Sequence, residues 1–313
     1  GNNFGKSCSK EIFNYFKTHF LGDIMSETQY LAAKTIDEAV KAHSEAKGSA
    51  RFLAGGTDLL VQIKSGIKKP NMVIDIKKIV ELNSIKEVSD NEFKIGAAVS
   101  GANLNRNKKF ADLWPGVLEA FRLIGSEQIQ GRASLGGNLC NGSPAGDSVP
   151  ALVAANCTVT IAGPKGSRDI PIATLHTGPG KTLLENGEIL VSVNFPKRST
   201  NSSDAYLRMI PRTEMDIAVV GCAVNVSMEN GICTEARVSL GAVAPTVLFI
   251  EEASKIMIGT DLNSEILGKV SQLCMDACNP INDKRGTIDY RTKVAGVLFK
   301  RTALIAIDRI KGK

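Results

Sequence analysis

Two glycine-bearing loops are the segments of this sequence best suited to binding chemistry. The first reads AGGTDL at residues 54–59, and the second reads SLGGNL at residues 134–139. Glycine has no Cβ to keep an anion away from the backbone, and consecutive N–H groups beside a helix start are what a phosphate needs. A single Gly-Gly pair is more often only a turn. The two loops together predict one diphosphate gripped from both sides.

The better-known nucleotide-binding motifs are missing from the sequence. No GxGxxG occurs, which argues against a Rossmann dinucleotide fold. The run GPGKT at residues 178–182 imitates the end of a P-loop, but the earlier glycine of that motif falls on Leu175, and Pro179 interrupts the cradle. His176 has no GxSxG near it, so a hydrolase triad is not indicated either.

The cysteines do not indicate a metal centre or a disulfide framework. The chain has seven cysteines, an odd number, and no CxxC. Cys274 and Cys278 could share a helix face and supply two metal ligands. With no second pair and only three histidines, most structural metal sites could not be completed. Buried, inert thiols are the preferred interpretation.

Helices and strands alternate along the first half of the chain. A helix is expected from Thr35, capped together with Glu38. The run ARFL leads as a strand into the first loop, DLLVQIKSG follows as a helix closed by Gly66, and NMVIDI and NEFKIGAAV have strand patterns. A helix over 110–124 precedes the second loop, which becomes helical near Val149, and three strands follow at CTVTIAG, RDIPI and EILVSVNFP. This order favours an α/β domain.

A second domain is expected after the linker-like run KRSTNSS at residues 197–203. Two alternating strands flank MENG, with Asn230-Gly231 at the tip of a hairpin. Helices near 251–258, 263–276 and 293–310 complete an α+β arrangement. We therefore predict an N-terminal extension of unknown role at 1–24, a first domain at 25–199 and a second at 204–313.

Composition is that of an ordinary globular protein, with 43% hydrophobic and 22% charged residues. No apolar run approaches the roughly 18 residues of a membrane span, and the first residues do not form a secretory signal, so the cytoplasm is expected. The net charge is +6, but Lys and Arg are spread along the chain and aromatic residues make up only 5%. This pattern argues against a nucleic-acid-binding protein.

Four longer motifs occur in a fixed order: FLAGGTDLL, GRASLGGNLCNGSPAGDSVPAL, LLENGEILVSVNFP and RMIPRTEMDIAVV. Together they resemble the FAD-binding (medium) subunit of molybdenum hydroxylases of the xanthine dehydrogenase and carbon monoxide dehydrogenase family. The resemblance runs from about Tyr30 to the C-terminus. It implies an α/β FAD-binding domain of the PCMH or vanillyl-alcohol-oxidase type, followed by a small α+β domain with a three-stranded antiparallel sheet and helices.

The resemblance also implies which residues hold the cofactor. Two runs match the loops that grip the FAD pyrophosphate: Leu53, Ala54, Gly55, Gly56, Thr57, Asp58 and Leu59, and Ser134, Leu135, Gly136, Gly137 and Asn138. Gly136→Val is then expected to cut FAD occupancy, because it places a side chain where the diphosphate approaches.

Further positions match residues around the rest of the flavin. Asp147 corresponds to an acidic residue near the ribityl or ribose hydroxyls, and Ile124 and Leu190 correspond to apolar residues lining the cofactor. Arg208 stands where relatives often have Lys, beside the flavin edge. The pair Asp216 and Ile217 matches a segment lying beside the isoalloxazine, with Ile217 packing on or near the ring.

The resemblance implies a subunit rather than a complete enzyme. FAD is expected on this chain, whereas the [2Fe-2S] clusters and the molybdopterin are expected on a small and a large partner subunit. Electrons would pass from the clusters through FAD to NAD or another acceptor. No residue of this chain is assigned as a catalytic acid or base, and no metal ligand is assigned.

Two other functions stay open at this point. One is a self-sufficient flavin oxidase or reductase of the same fold, which would be active as a single chain. The other is a cofactor-free basic scaffold for acidic proteins or RNA, which would be colourless.

Overall fold

A three-stranded parallel sheet begins the fold and carries the first glycine loop. The computed structural model describes residues 28–46, 48–212 and 215–312, so the N-terminal extension predicted at 1–24 lies outside the described residues. The strands have the order β1-β3-β2. The elements of this layer are β1 (Gln29–Ala32), α1 (Ile36–Glu45), β2 (Ala50–Leu53), α2 (Leu59–Lys64) and β3 (Met72–Asp75).

The predicted start of α1 is confirmed. The Thr35 hydroxyl accepts the Glu38 N–H at 3.1 Å, and the Glu38 carboxylate accepts the Lys34 N–H at 2.7 Å. The reciprocal bond of the capping box is therefore made one residue earlier than the standard pattern. Gly66 follows the end of α2 with φ +75, a backbone conformation that favours glycine.

A five-stranded antiparallel sheet with strand order β4-β5-β10-β6-β7 forms the centre of the first domain, and β8 and β9 make a separate hairpin. The strands are β4 (Ile85–Ser89), β5 (Glu92–Gly96), β6 (Thr158–Gly163), β7 (Gly166–Pro171), β8 (His176–Gly178), β9 (Lys181–Thr182) and β10 (Ile189–Phe195).

Short helices connect β5 to β6. They are α3 (Gly101–Arg106), α4 (Lys108–Leu113), α5 (Pro115–Arg122), α6 (Glu127–Gln130), α7 (Leu135–Asn141) and α8 (Ser148–Ala154). The single helix expected over 110–124 is wrong, because the chain breaks at Trp114, which has φ −124 and ψ 58. A residue before proline is driven out of the helical region, and Pro115 then starts the next helix.

An antiparallel sheet and three helices form the second domain. The strands β11 (Ser202–Met209), β12 (Val220–Glu229) and β13 (Ile232–Gly241) are the expected three, and the two-residue β14 (Leu248–Phe249) extends the edge. Both residues of the predicted hairpin tip have positive φ, 51 for Asn230 and 79 for Gly231, which confirms that turn. The helices are α9 (Glu251–Met257), α10 (Ser264–Asp276) and α11 (Ile288–Lys311).

The two parts of the chain share packing. Tyr206 and Ala223 of the second sheet belong to the core formed by the antiparallel sheet and helices of the first domain. Glu119 of α5 accepts the Tyr206 backbone N–H at 3.1 Å and forms an ion pair with Arg309 of α11. The interface is therefore bonded as well as packed.

The linker-like run at 197–203 is tied to both parts. Arg198 is 5% exposed, pairs with Asp204 at 2.9 Å and donates to Asn225 at 2.7 Å. Its guanidinium also stacks on the Trp114 ring at 4.0 Å. The run is an ordered connection whose composition resembles that of a linker, and the domain boundary placed there stays a prediction.

We expect Arg198→Met to destabilise the protein by about 3–5 kcal/mol, because it leaves the buried Asp204 carboxylate without its cation. Urea unfolding of the purified chain measures the loss. Lys197→Met is the matched control, since Lys197 is exposed, and it should change the unfolding free energy by less than about 0.5 kcal/mol. Equal effects of the two substitutions would contradict a stabilising role for the buried ion pair of Arg198 and Asp204.

Candidate functional site

The two glycine loops, about 80 positions apart in the sequence, lie against one another. An added Cβ on Gly55 would overlap the Arg132 backbone carbonyl, 2.5 Å from its carbon and 3.1 Å from the next backbone nitrogen. Two long side-chain hydrogen bonds join the neighbouring helices: Gln62 to Asn141 at 3.4 Å and Asn141 to Asp58 at 3.5 Å. The predicted juxtaposition of the loops is therefore present.

The first loop offers a row of unused backbone donors. None of the five N–H groups from Gly55 to Leu59 has a hydrogen-bond acceptor among the residues that the structure describes. Asp58 begins α2 without a side-chain capping bond, and Gly56 has φ +80. Backbone N–H groups need acceptors, so this half-buried loop is suited to an anionic ligand.

The second loop is different, and the expectation that it also presents free N–H groups is wrong. It is the first turn of α7, capped by the hydroxyl of Ser134. The four N–H groups at its start already have acceptors. Those of Leu135 and Gly136 donate to the backbone carbonyls of Val99 and Ala97, respectively. Those of Gly137 and Asn138 donate to the hydroxyl and the carbonyl of Ser134. The unused donors near the loop contact are those of the first loop.

Gly136 is a glycine because of packing within the protein. A Cβ on it would lie 2.6 Å from the Cβ of Ala97 and 2.7 Å from its carbonyl oxygen. The reason given for Gly136→Val in the sequence interpretation is therefore wrong, since the side chain would meet Ala97 and displace α7. Gly137 is exposed, and its added Cβ would come within 2.9 Å of the Ser134 hydroxyl that caps the helix.

A buried polar cluster lies between α8 and the second sheet. Asp147 accepts the Tyr206 hydroxyl at 2.8 Å and the Arg208 guanidinium at 2.7 Å. Burial raises the pKa of Asp147 to about 6, although both neighbours favour the charged carboxylate. Arg208 also donates to the Asp216 backbone carbonyl at 3.3 Å. Three sequence-assigned residues, Asp147, Arg208 and Asp216, are thus linked by hydrogen bonds.

The Asp216 carboxylate fixes the start of the segment that carries Ile217. It accepts the Ile217 N–H at 2.8 Å, which is the main cause of its lowered pKa, and pairs with Arg212 at 3.4 Å. Ile217 remains 51% exposed and Met215 59% exposed. An apolar surface held by an anchored backbone is suited to packing on a flat, aromatic ligand.

The remaining two assigned residues belong to, or pack against, the core of the first domain. Leu190 of β10 is 2% exposed and belongs to the same core as Leu135. Ile124, which is half-buried, follows α5 and packs against that core. In this structure Leu190 contacts protein and reaches no open surface.

Two sequence models match successive parts of the chain. Residues 26–198 match the FAD binding domain in molybdopterin dehydrogenase, and residues 205–306 match the CO dehydrogenase flavoprotein C-terminal domain. The chain belongs to this flavoprotein family.

Individual relatives agree over almost their whole length. The flavoprotein is 30% identical to the xanthine dehydrogenase FAD-binding subunit of Escherichia coli O157:H7 over 91% of this chain and 97% of that one. It is 33% identical to the carbon monoxide dehydrogenase medium chain of Afipia carboxidovorans, covering 91% and 96%. A solved carbon monoxide dehydrogenase from Hydrogenophaga pseudoflava, which lacks the Mo-pyranopterin moiety of its cofactor, superposes with a TM-score of 0.86 at 31% identity, covering 90% and 98%.

The cofactor of this family, FAD, suits the chemistry of the site. Its pyrophosphate is the anion that the N–H groups of Gly55 to Leu59 can satisfy, and its ring is the flat aromatic surface that Ile217 can cover. The interpretation of this chain as an FAD-binding oxidoreductase subunit is confirmed.

The sequence interpretation missed Tyr206 and Arg132. A signal for Tyr206 existed, because residues two apart on a strand face the same side, and Arg208 was already assigned. The role of Arg132 is carried by its backbone carbonyl, so no side-chain motif could have indicated it.

The flavoprotein's described cysteines are all free thiols. Four of these residues are buried. Cys140 on α7 is exposed as a residue, but burial of its thiol raises the pKa to about 12. Cys278 lies beyond the end of α10, and its thiol donates to the Cys274 carbonyl at 3.1 Å. Among the described residues no group of three His, Cys, Asp or Glu could hold a metal ion, and none of their helices is long and apolar enough to cross a membrane.

We expect Gly55→Ala to weaken FAD binding at least about tenfold and to destabilise the apoprotein by about 1–3 kcal/mol, since the methyl group must push the first loop off residue 132. Flavin fluorescence titration and thermal unfolding measure the two effects. Gly268→Ala on α10 is the control, because its added methyl group meets open space. Undiminished FAD affinity in a folded Gly55→Ala protein would show that the loop contact does not build the site.

Proposed function

We propose that this chain is the FAD-carrying electron-transfer subunit of a heteromeric molybdenum hydroxylase. It receives electrons from [2Fe-2S] clusters on a small partner subunit, while a large molybdopterin subunit transforms the substrate. NAD or another acceptor takes the electrons from the flavin. The observation that carries the proposal is the row of N–H groups at 55–59 that have no acceptor among the described residues, set against the segment that begins the second loop. The chain aligns over 91% of its length with an FAD-binding subunit and a medium chain.

The proposed role of the protein is binding, orientation and shielding of the cofactor. FAD, when bound, accepts electrons singly and releases them in pairs. The first loop holds the diphosphate through its backbone donors, and Ile217 shields one part of the ring from water. Asp147 and Arg208 place a paired charge behind the Asp216–Ile217 segment. None of these roles requires an acid or base of this chain to exchange a proton with substrate.

A subunit role is supported by the relatives, since this chain matches nearly the whole length of single chains of carbon monoxide dehydrogenases. The chain covers 96% of the Afipia medium chain and 98% of the matched Hydrogenophaga chain, and both names describe carbon monoxide dehydrogenases. A cytoplasmic location is part of the proposal, supported by the free thiols of the described cysteines, which suit a reducing compartment.

The decisive experiment is purification of the tagged chain from its native source, followed by metal analysis and absorption spectra. We expect two further chains, molybdenum and iron in the preparation, and a flavin spectrum. Recovery of a single yellow chain that oxidises a substrate without metal would support the self-sufficient oxidase instead. A folded, colourless chain that takes up no added FAD would exclude both.

We expect Ile217→Glu to weaken FAD binding about three- to tenfold and to lower the flavin midpoint potential, because a carboxylate beside the ring disfavours added negative charge. Spectroelectrochemical titration of the reconstituted chain measures the shift. Ile232→Glu, also on an exposed isoleucine but at the hairpin of the second sheet, is the matched control. Identical potentials in both variants would remove Ile217 from the flavin surroundings.

A further inference from the structure

Tyr206, Asp147 and Arg208 form a buried polar cluster in which protein donors occupy both oxygens of the Asp147 carboxylate. The side chains of Arg208 and Asp147 are only 4% and 7% exposed, and Tyr206 is 2% exposed. Both carboxylate oxygens are engaged, Oδ1 by the tyrosine hydroxyl and Oδ2 by the guanidinium. A buried carboxylate with two specific donors has a single favoured orientation.

Local structure explains how the donors reach the same carboxylate. Tyr206 and Arg208 are two residues apart on β11, so their side chains face the same side of the sheet. Asp147 directly precedes α8 but makes no side-chain capping bond to that helix. Its carboxylate instead accepts hydrogen bonds from the two side chains on β11.

A glycine on the neighbouring strand leaves room for the tyrosine hydroxyl. Gly221 of β12 is opposite Arg208, and a Cβ there would overlap the Tyr206 hydroxyl, 3.2 Å from the ring carbon that bears it. Glycine inside a strand costs stability. The glycine at 221 therefore leaves space on β12 for the hydroxyl of the tyrosine on β11.

A hydrogen bond from Arg208 to the Asp216 backbone connects the buried cluster to the exposed segment. The Nη1 of Arg208 donates to Asp147 and to the Asp216 carbonyl, whereas its buried Nε has no partner among the described residues. The next residue, Ile217, is exposed. Movement of the Asp147 carboxylate would therefore be transmitted to the segment that carries Ile217.

We propose that Tyr206 is a positioning residue of the flavin site, whose hydroxyl holds the Asp147 carboxylate so that Arg208 bridges it to the Asp216 backbone. The inference rests on the proposed function, because it assigns the cluster to the support of bound FAD. It adds a residue that the glycine loops and the apolar segment do not include.

The titration of Asp147 gives the cluster a measurable signature. The groups that face Asp147 are Tyr206 and Arg208 on β11. Cys222 of β12 lies near the tyrosine and raises the pKa of its hydroxyl. Burial raises the pKa of the carboxyl group to about 6, and the two hydrogen bonds oppose that rise. Removal of the hydroxyl should therefore raise the pKa of Asp147 further.

The test uses the full chain reconstituted with FAD, with flavin fluorescence followed from pH 5 to pH 8. We expect the wild type to bind FAD and to show a transition with a midpoint near 6. Tyr206→Phe should move the midpoint upward by about half to one pH unit and weaken FAD binding about three- to tenfold. Tyr290→Phe, on the exposed face of α11, should do neither.

A double-mutant cycle separates positioning from packing. In an Asp147→Ala background the tyrosine hydroxyl has no carboxylate to hold, so Tyr206→Phe should cause no further loss of FAD affinity. If Tyr206→Phe does not fold, 3-fluorotyrosine placed at 206 decides the matter, because its more acidic hydroxyl should lower the midpoint.

The outcomes distinguish this inference from the proposed function. A folded Tyr206→Phe protein with unchanged FAD affinity and an unchanged midpoint overturns the positioning role alone, as does a 3-fluorotyrosine protein with the wild-type midpoint. A wild-type chain that binds no FAD overturns the proposed function.

Discussion

The close approach of the first glycine loop to the backbone at residue 132 is the contact on which the candidate site depends. Gly55 has no side chain, and any side chain there would occupy the space of the Arg132 carbonyl. The contact brings the first loop, whose N–H groups at 55–59 have no acceptor in the described part of the chain, beside α7, which bonds to Asp58 and Gln62 through Asn141. Because the parallel sheet carries one partner and the connection after α6 carries the other, the packing of these two layers decides whether an anion site exists at all.

The second domain completes the site. Arg208 and Tyr206 come from its first strand and bond to Asp147, which belongs to the first domain. The same strand is anchored by the Asp204 pair with Arg198 and by the contact of Glu119 with the Tyr206 backbone. Buried ion pairs contribute little net stability compared with apolar packing, but removing one partner is costly. They therefore act mainly to hold the two domains in one arrangement.

The site illustrates that similar motifs can have different physical roles. Both loops contain a Gly-Gly pair followed by a polar residue, and the sequence predicted the same role for both. Among the described residues the first loop finds no acceptors for its N–H groups, whereas the second loop uses its N–H groups to begin a helix and to bond to Ala97 near the end of a strand. We therefore propose that the first loop supplies the backbone donors for FAD, whereas Gly136 serves packing against Ala97.

Local patterns determined most of the elements, the hairpin at Asn230-Gly231 and the capped start of α1, because caps, turns and alternation depend on residues close in the sequence. Four longer motifs in a fixed order indicated the family by resemblance. They also located the residues around which the site is built. Tertiary structure alone decided the hydrogen bonding of the second loop, the burial of Arg198 and the hydrogen bond between Tyr206 and Asp147. Each of these depends on which distant backbone or side chain fills the neighbouring space, and no local pattern records that.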